Sequence, residues 1–158
     1  MITSTDLLHL QRCIELAKAA LEAGDEPFGS LLVSTDGKVL AEDHNHVAGG
    51  DHTQHPEFAL ARWAAQHMTP EERSGATVYT SGEHCPMCAA AHGWVGLGRI
   101  VYASSSEQLA QWLHEMGVAA PRVRNLAIHE VIRDTAVDGP VPELADQVRL
   151  LHRQFHTR

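Results

Sequence analysis

The sequence predicts a layered α/β domain. Two observations carry this. Short apolar runs of strand character alternate with segments of helical periodicity along the 158 residues. Composition is that of an ordinary globular chain, 44% hydrophobic and 20% charged. The length fits one domain spanning residues 1–158.

Residues 6–22, DLLHLQRCIELAKAALE, place Leu7, Leu10, Ile14, Ala17 and Leu21 at spacings of three and four. That is one apolar helix face, stopped near Gly24. FGSLLVS and GKVLAED then read as two strands joined by a turn at TDGK. NHVAGGDHTQ is a polar loop. From Pro56 to about His67 the pattern is helical, with Phe58, Leu60, Ala61, Trp63 and Ala64 apolar. ATVYTS (76–81) is a strand, and PMCAAAHGWVG (86–96) is a helix of small, closely packing residues. RIVYAS (99–104) is another strand, and SEQLAQWLHEMG (106–117) a helix ending at Gly117. RVRNLAIHEVI (122–132) is read as a last strand and DGPVP (138–142) as a linker. Leu144, Val148, Leu151 and Phe155 then mark a C-terminal helix, so that 138–158 is linker plus helix.

Several classes are disfavoured. No apolar run approaches the roughly 20 residues of a membrane span. The N-terminus, MITSTDLLHLQRC, has no basic n-region or signal-type apolar core, so a cytoplasmic location is expected. Three cysteines cannot all pair with one another, and Cys13 reads as a small buried residue of the first helix. Twelve Lys and Arg against twenty Asp and Glu give a charge of -8. That disfavours a polyanionic partner, because phosphate binding relies on clustered basic side chains.

Two fragments carry chemistry: HPE at 55–57 and HCPMC at 84–88. Cys85 and Cys88 are spaced so that both sulfurs of a first helical turn can approach one ion. Pro86 follows Cys85, and proline suits the first helical position, where its missing N–H costs nothing. Cys85 is thus expected as the residue capping a helix, at the end whose dipole favours thiolates. Pro56 sets up the same arrangement after His55. Two helix starts could then face one ion, with His55, Cys85 and Cys88 as ligands. Three protein ligands leave a fourth position for water, as in catalytic zinc sites. Glu57 would sit beside that water as a proton acceptor and donor. Other readings stay open on spacing alone. Cys-x-x-Cys could be a redox pair, although this leaves His-x-Glu unexplained. His44, His46, His52 or His84 could replace His55 as the ligand.

These residues resemble the zinc-dependent deaminases of the cytidine/deoxycytidylate deaminase superfamily, whose pattern is H-x-E…P-C-x-x-C. PFGSLLVSTDGKVLAEDHN (27–45), DHTQHPE (51–57), VYTSGEHCPMCAAA (78–91) and RIVYAS all resemble family segments. The match covers residues 27–104, about half the chain. The Pro-Met-Cys character places it near the guanine, cytosine and tRNA-adenosine deaminase branch. The resemblance implies a three-layer α/β/α fold with a five-stranded mixed sheet between helices, usually as a homodimer. It implies one zinc per subunit on His55, Cys85 and Cys88, with Glu57 shuttling protons. It also implies base contacts from Asn45, pocket lining by Phe28 and Gly29, and a contact from the Ser81 carbonyl to the leaving amino group. The chain departs from the pattern at Pro56, where alanine is usual, and at His84, where proline is usual. His84 is a candidate for contacting substrate, for competing as a ligand, or for neither.

Hydrolytic deamination of a free nucleobase or nucleoside is therefore expected, guanine-type first and cytosine close behind. Trp94 lends a mild lean to guanine, since guanine-deaminase-like chains carry an aromatic there; packing is its plainer reading, and that of Trp112. Glu107, Glu115 and Glu130 are candidates for pairing with a base N–H, against a plainer reading as solvated helix faces. A tRNA adenosine deaminase is the alternative, but Arg122, Arg124, Arg149, Arg153 and Arg158 are scattered and form no basic cluster. A zinc-binding scaffold without activity is a further alternative, which the presence of Glu57 disfavours.

Overall fold

A computed structural model describes all 158 residues. Its elements run α1 (Ser4–Glu22), β1 (Gly29–Val33), β2 (Val39–His44), α2 (Pro56–His67), α3 (Pro70–Gly75), β3 (Thr77–Gly82), α4 (Pro86–Val95), β4 (Ile100–Ser104), α5 (Ser106–Glu115), α6 (Ile128–Val131), β5 (Val137–Asp138) and α7 (Pro142–Thr157). The sheet order is β2-β1-β3-β4-β5. β1 is antiparallel to β2 and β3, whereas β3, β4 and β5 are mutually parallel, so the sheet is mixed.

Strand sequences explain the three layers. Leu31, Val33, Tyr79, Val101 and Ala103 face one core with α1 and α7 residues such as Leu10, Cys13, Ala17 and Val148. Leu32 and Val78 face the opposite core with Leu60, Ala61, Ala64 and Met68. Successive strand residues point to opposite faces. Apolar residues at consecutive positions therefore require helices on both sides. Trp112 is buried in the first core, as packing predicts.

The helical face of α1 is shifted from the expected one. Leu7 is 40% exposed, and Asp6 takes the inward place at 3%. Asp6 accepts hydrogen bonds from the Tyr79 hydroxyl (2.7 Å) and from both terminal nitrogens of Arg99 (3.0 Å each). A carboxylate so well paired can be buried, which frees the leucine to face water.

The C-terminal third differs most from expectation. The last strand is not at 122–132. Residues 128–131 form α6, and β5 falls at Val137–Asp138, overlapping the expected linker. Two carboxylates account for α6: Glu83 accepts from the Ile128 N–H (2.8 Å) and Glu130 from the Ala127 N–H (2.8 Å). Ile128 then packs on Ala89 and Ile100. α3 was not foreseen, although TPEE carries a reciprocal cap: Thr69 Oγ1 accepts from Glu72 N–H (3.2 Å), and Glu72 accepts from Thr69 N–H (2.8 Å).

Candidate metal centre and active site

α2 and α4 pack against each other behind the sheet and start side by side. His55 and Cys85 are their capping residues, in extended conformations (φ -92°, ψ 141° and φ -69°, ψ 167°), with Pro56 and Pro86 beginning the helices. Cys88 sits one turn into α4. His55 Nδ1 lies 3.4 Å from Cys85 Sγ and 3.5 Å from Cys88 Sγ. An ion about 2.05 Å from nitrogen and 2.3 Å from sulfur holds tetrahedral neighbours about 3.6 Å apart. Both imidazole–sulfur distances are therefore close to those zinc requires, and two thiolates plus an imidazole are a donor set zinc takes. His84 is not among the converging donors.

The donors are electrostatically linked. Hydrogen bonds from Cys88 and, to a lesser degree, His55 together draw Cys85 down to about 4 against the opposing effect of burial. The hydrogen bond to Cys85 raises His55 to about 9. Cys88 is pushed up by its bond to Cys85 and by burial. Binding a divalent cation displaces such protons.

Glu57 is buried next to this centre, 6% exposed. Burial raises its pKa, and the Thr80 hydroxyl partly offsets that. Thr80 Oγ1 (2.7 Å) and Ser30 Oγ (3.1 Å) both donate to the same oxygen, Oε1. Ser30 and Thr80 face each other across β1 and β3. Sequence reasoning missed both. The signal was a small hydroxyl in each of two otherwise apolar strands, where a buried polar group needs a partner.

The other expected site residues are placed as follows. Asn45 is 1% exposed; its Oδ1 accepts from the Val47 N–H (2.9 Å), and its N–H donates to the Phe28 carbonyl (3.0 Å). The Phe28 ring lies edge-on to His152, centroids 5.0 Å apart, and near Gly82. Gly29 is pressed against α1: a Cβ there would meet Cys13 O at 2.4 Å and Leu16 Cβ at 2.5 Å. The Ser81 carbonyl accepts from Ser104 Oγ (2.8 Å), and Ser81 Oγ accepts from the Gly29 N–H (3.1 Å). His84 is 1% exposed and edge-on to His92, with centroids 5.4 Å apart. Its surroundings are those of a packed residue, and burial lowers its pKa well below the usual range.

Of the acidic candidates, Glu115 pairs with Arg149 (3.1 Å) and Glu130 caps α6. Glu107 borders an open cleft of about 360 Å³ that also involves Glu83, Tyr102, Ser106 and His129. Trp94 neither packs in a core nor lines that cleft; it is 89% exposed. It lies next to Gly93 near the C-terminal end of α4, the end farthest from the metal donors.

Residues 3–104 match the family model described as the cytidine and deoxycytidylate deaminase zinc-binding region. The chain belongs to this family. It binds zinc, and the converging His-Cys-Cys donors are compatible with one ion per subunit. It is similar to a probable cytosine deaminase of Schizosaccharomyces pombe, 27% identical over 154 residues, covering 98% of this chain and 94% of that one. It is also similar to a guanine deaminase of Bacillus subtilis, 34% identical over 104 residues, covering 65% of this chain and 66% of that one. A solved structure from a study of A-to-I editing by tRNA:A34 deaminases superposes with a TM-score of 0.65 at 24% identity, over 92% of this chain and 99% of the other. The deaminase family supports a hydrolytic enzyme on this three-layer fold.

Proposed function

We propose that the chain deaminates a free nucleobase by hydrolysis, with His55, Cys85 and Cys88 as zinc ligands and Glu57 as the proton shuttle. The observation that carries this is a buried carboxylate beside three converging donors, with both imidazole–sulfur distances near those of a tetrahedral zinc site. Bound zinc supplies a water acidic enough to act as nucleophile near neutral pH. Glu57 takes one proton from that water and gives it to the ring nitrogen as the oxygen adds to the amino-bearing carbon; it then takes the remaining hydroxyl proton and gives it to the amine, which leaves as ammonia as the carbonyl forms. Its raised pKa suits a group that must both accept and release a proton. Thr80 and Ser30 hold Oε1 and leave Oε2 for this traffic. In this reading Asn45 hydrogen-bonds the base and Phe28 forms an apolar wall.

Among bases, cytosine and guanine lead. The similarity to the cytosine deaminase runs through residues beyond 104, the part that would complete the pocket. The lean to guanine through Trp94 loses its support, since that indole is exposed well away from the donors. Charge favours a free base over a tRNA loop. Arg12, Arg99 and Arg149 are tied up in ion pairs, and the charged side chains acting on His55 from outside the donor set are the carboxylates Glu57 and Glu26. We also infer a cytoplasmic homodimer, in which the exposed Trp94 is covered by the second subunit. Light scattering should then show a dimer for the wild type and a monomer for Trp94→Glu.

Ammonia release should be measured on cytosine, guanine, adenine, their nucleosides and a tRNA anticodon hairpin. Release from cytosine or guanine is expected. Release from the hairpin alone would establish the tRNA reading, and none from any, with zinc bound, the scaffold reading. Glu57→Gln should keep its zinc and lose roughly 10²- to 10⁴-fold in turnover. Wild-type turnover in that variant would remove Glu57 from the mechanism.

A further inference from the structure

A second group of metal-ligating side chains lies outside the centre just described. One ring nitrogen each of His44 and His46 and a carboxylate oxygen of Asp25 fall within 4.8 Å of one another. They come from two places in the fold. Asp25 follows α1, its N–H bonded to the Ala20 carbonyl (2.8 Å). His44 ends the edge strand β2, and His46 opens the loop after it. We infer that these three side chains form a second site for a divalent first-row transition ion.

The hydrogen bonds around the cluster fit this assignment. His44 Nδ1 donates to the Asn45 carbonyl at 2.8 Å. His46 Nε2 donates to Asp43 Oδ1 at 3.1 Å. Metal-binding histidines are held in this way, one nitrogen tied to a carbonyl or carboxylate so that the other presents a lone pair. Each ring here is therefore left with one free acceptor nitrogen, and the two rings lie 4.4 Å apart with planes at 31°. Asp25 is only 6% exposed. Its Oδ1 accepts from the Ala48 N–H (3.0 Å), and no lysine, arginine or histidine forms an ion pair with it. A buried carboxylate with so little compensation is costly, and a cation offsets that cost.

Two imidazoles and one carboxylate, without thiolate, suit Zn²⁺, Ni²⁺ or Cu²⁺ and give a weaker site than one with two sulfurs. Ligands of such an ion stand about 3–3.5 Å apart. The Asp25 oxygen stands beyond ion-pair distance from both imidazoles, so an ion has to draw Asp25, His44 and the half-exposed His46 together. The site shares no residue with the His55 centre. It joins the end of α1 to the loop containing Asn45, so an ion there clamps that loop.

The test uses tag-free protein carrying its first zinc, titrated with zinc chloride by calorimetry. A second binding event per chain is expected. His46→Ala and Asp25→Asn should each weaken it at least about tenfold, while His129→Ala, an exposed histidine elsewhere, leaves it unchanged. His46 is on the surface, so its removal tests the site without threatening the fold. A single event up to about 1 mM zinc, or a second event unaltered in both site variants, would overturn the assignment. So would equal loss in His129→Ala.

Discussion

At the scale of single residues, the metal donors were readable because their spacing is a chemical requirement. Cys-x-x-Cys followed by proline and His-Pro-Glu both encode a helix start aimed at one point, and the structure brings His55 within 3.5 Å of both sulfurs. The residues that position Glu57 were not readable. Ser30 and Thr80 are close only because β1 and β3 pair in a register that no local pattern sets. Their shared hold on Oε1 leads to a test. Thr80→Val keeps the shape of the strand but deletes the shorter bond, 2.7 Å, to the carboxylate. Burial then raises the Glu57 pKa with one compensating donor fewer. We expect kcat to fall about tenfold with little change in KM, since the group affected moves protons and does not bind the base. The alkaline shift of the acidic limb of the kcat profile is the readout that a simple packing defect would not give. An unshifted profile would relegate Thr80 to packing.

At the scale of elements, periodicity located α1, α2, α4, α5, α7 and four strands close to their observed bounds, because most of them pack an apolar face against the rest of the fold. It failed where other forces set the structure. β5 has only two residues, too few for a pattern, and α6 is held in part by a carboxylate from elsewhere in the chain, Glu83. Gly29 shows how an element contact can look like a site feature. The residue sits in the Pro-Phe-Gly segment expected to line the pocket, yet α1 crosses it so closely that no side chain fits. Gly29→Ala must push α1 off the sheet, and overpacking of this kind costs about 1–3 kcal/mol, with more possible where backbone is the obstacle. Urea unfolding should show a lower midpoint at unchanged slope. Zinc content should persist, because the donors belong to α2 and α4 on the opposite face of the sheet. Wild-type stability would mean that the α1–β1 approach relaxes freely.

At the scale of the whole molecule, burying several histidines makes stability depend on acid. His152 on α7 is 2% exposed, enclosed by Phe28 and Trp112, with His156 the nearby titratable group that adds to the effect of burial. Desolvation lowers its pKa to about 3. The folded chain thus keeps His152 neutral, while the unfolded chain protonates it below about 6.5. Unfolding takes up a proton in that window, so the stability is full above about pH 6.5 and is lost as pH falls toward 3. At pH 4.5 this one residue accounts for about 2–3 kcal/mol. His152→Leu removes the proton uptake and keeps an apolar side chain between the two rings. Wild type and variant should therefore be of similar stability at pH 7.5. On acidification to pH 4.5 the wild type should lose about 2–3 kcal/mol more. His84 and His92, whose pKa values burial also lowers, are common to both proteins and cancel in the comparison. Denaturant midpoints across this range decide it, and parallel curves for the two proteins would show that His152 is hydrated in solution. Because α7 packs on α1 and β4, relieving this sensitivity should act on the unfolding of the molecule as a unit, leaving zinc content at neutral pH untouched.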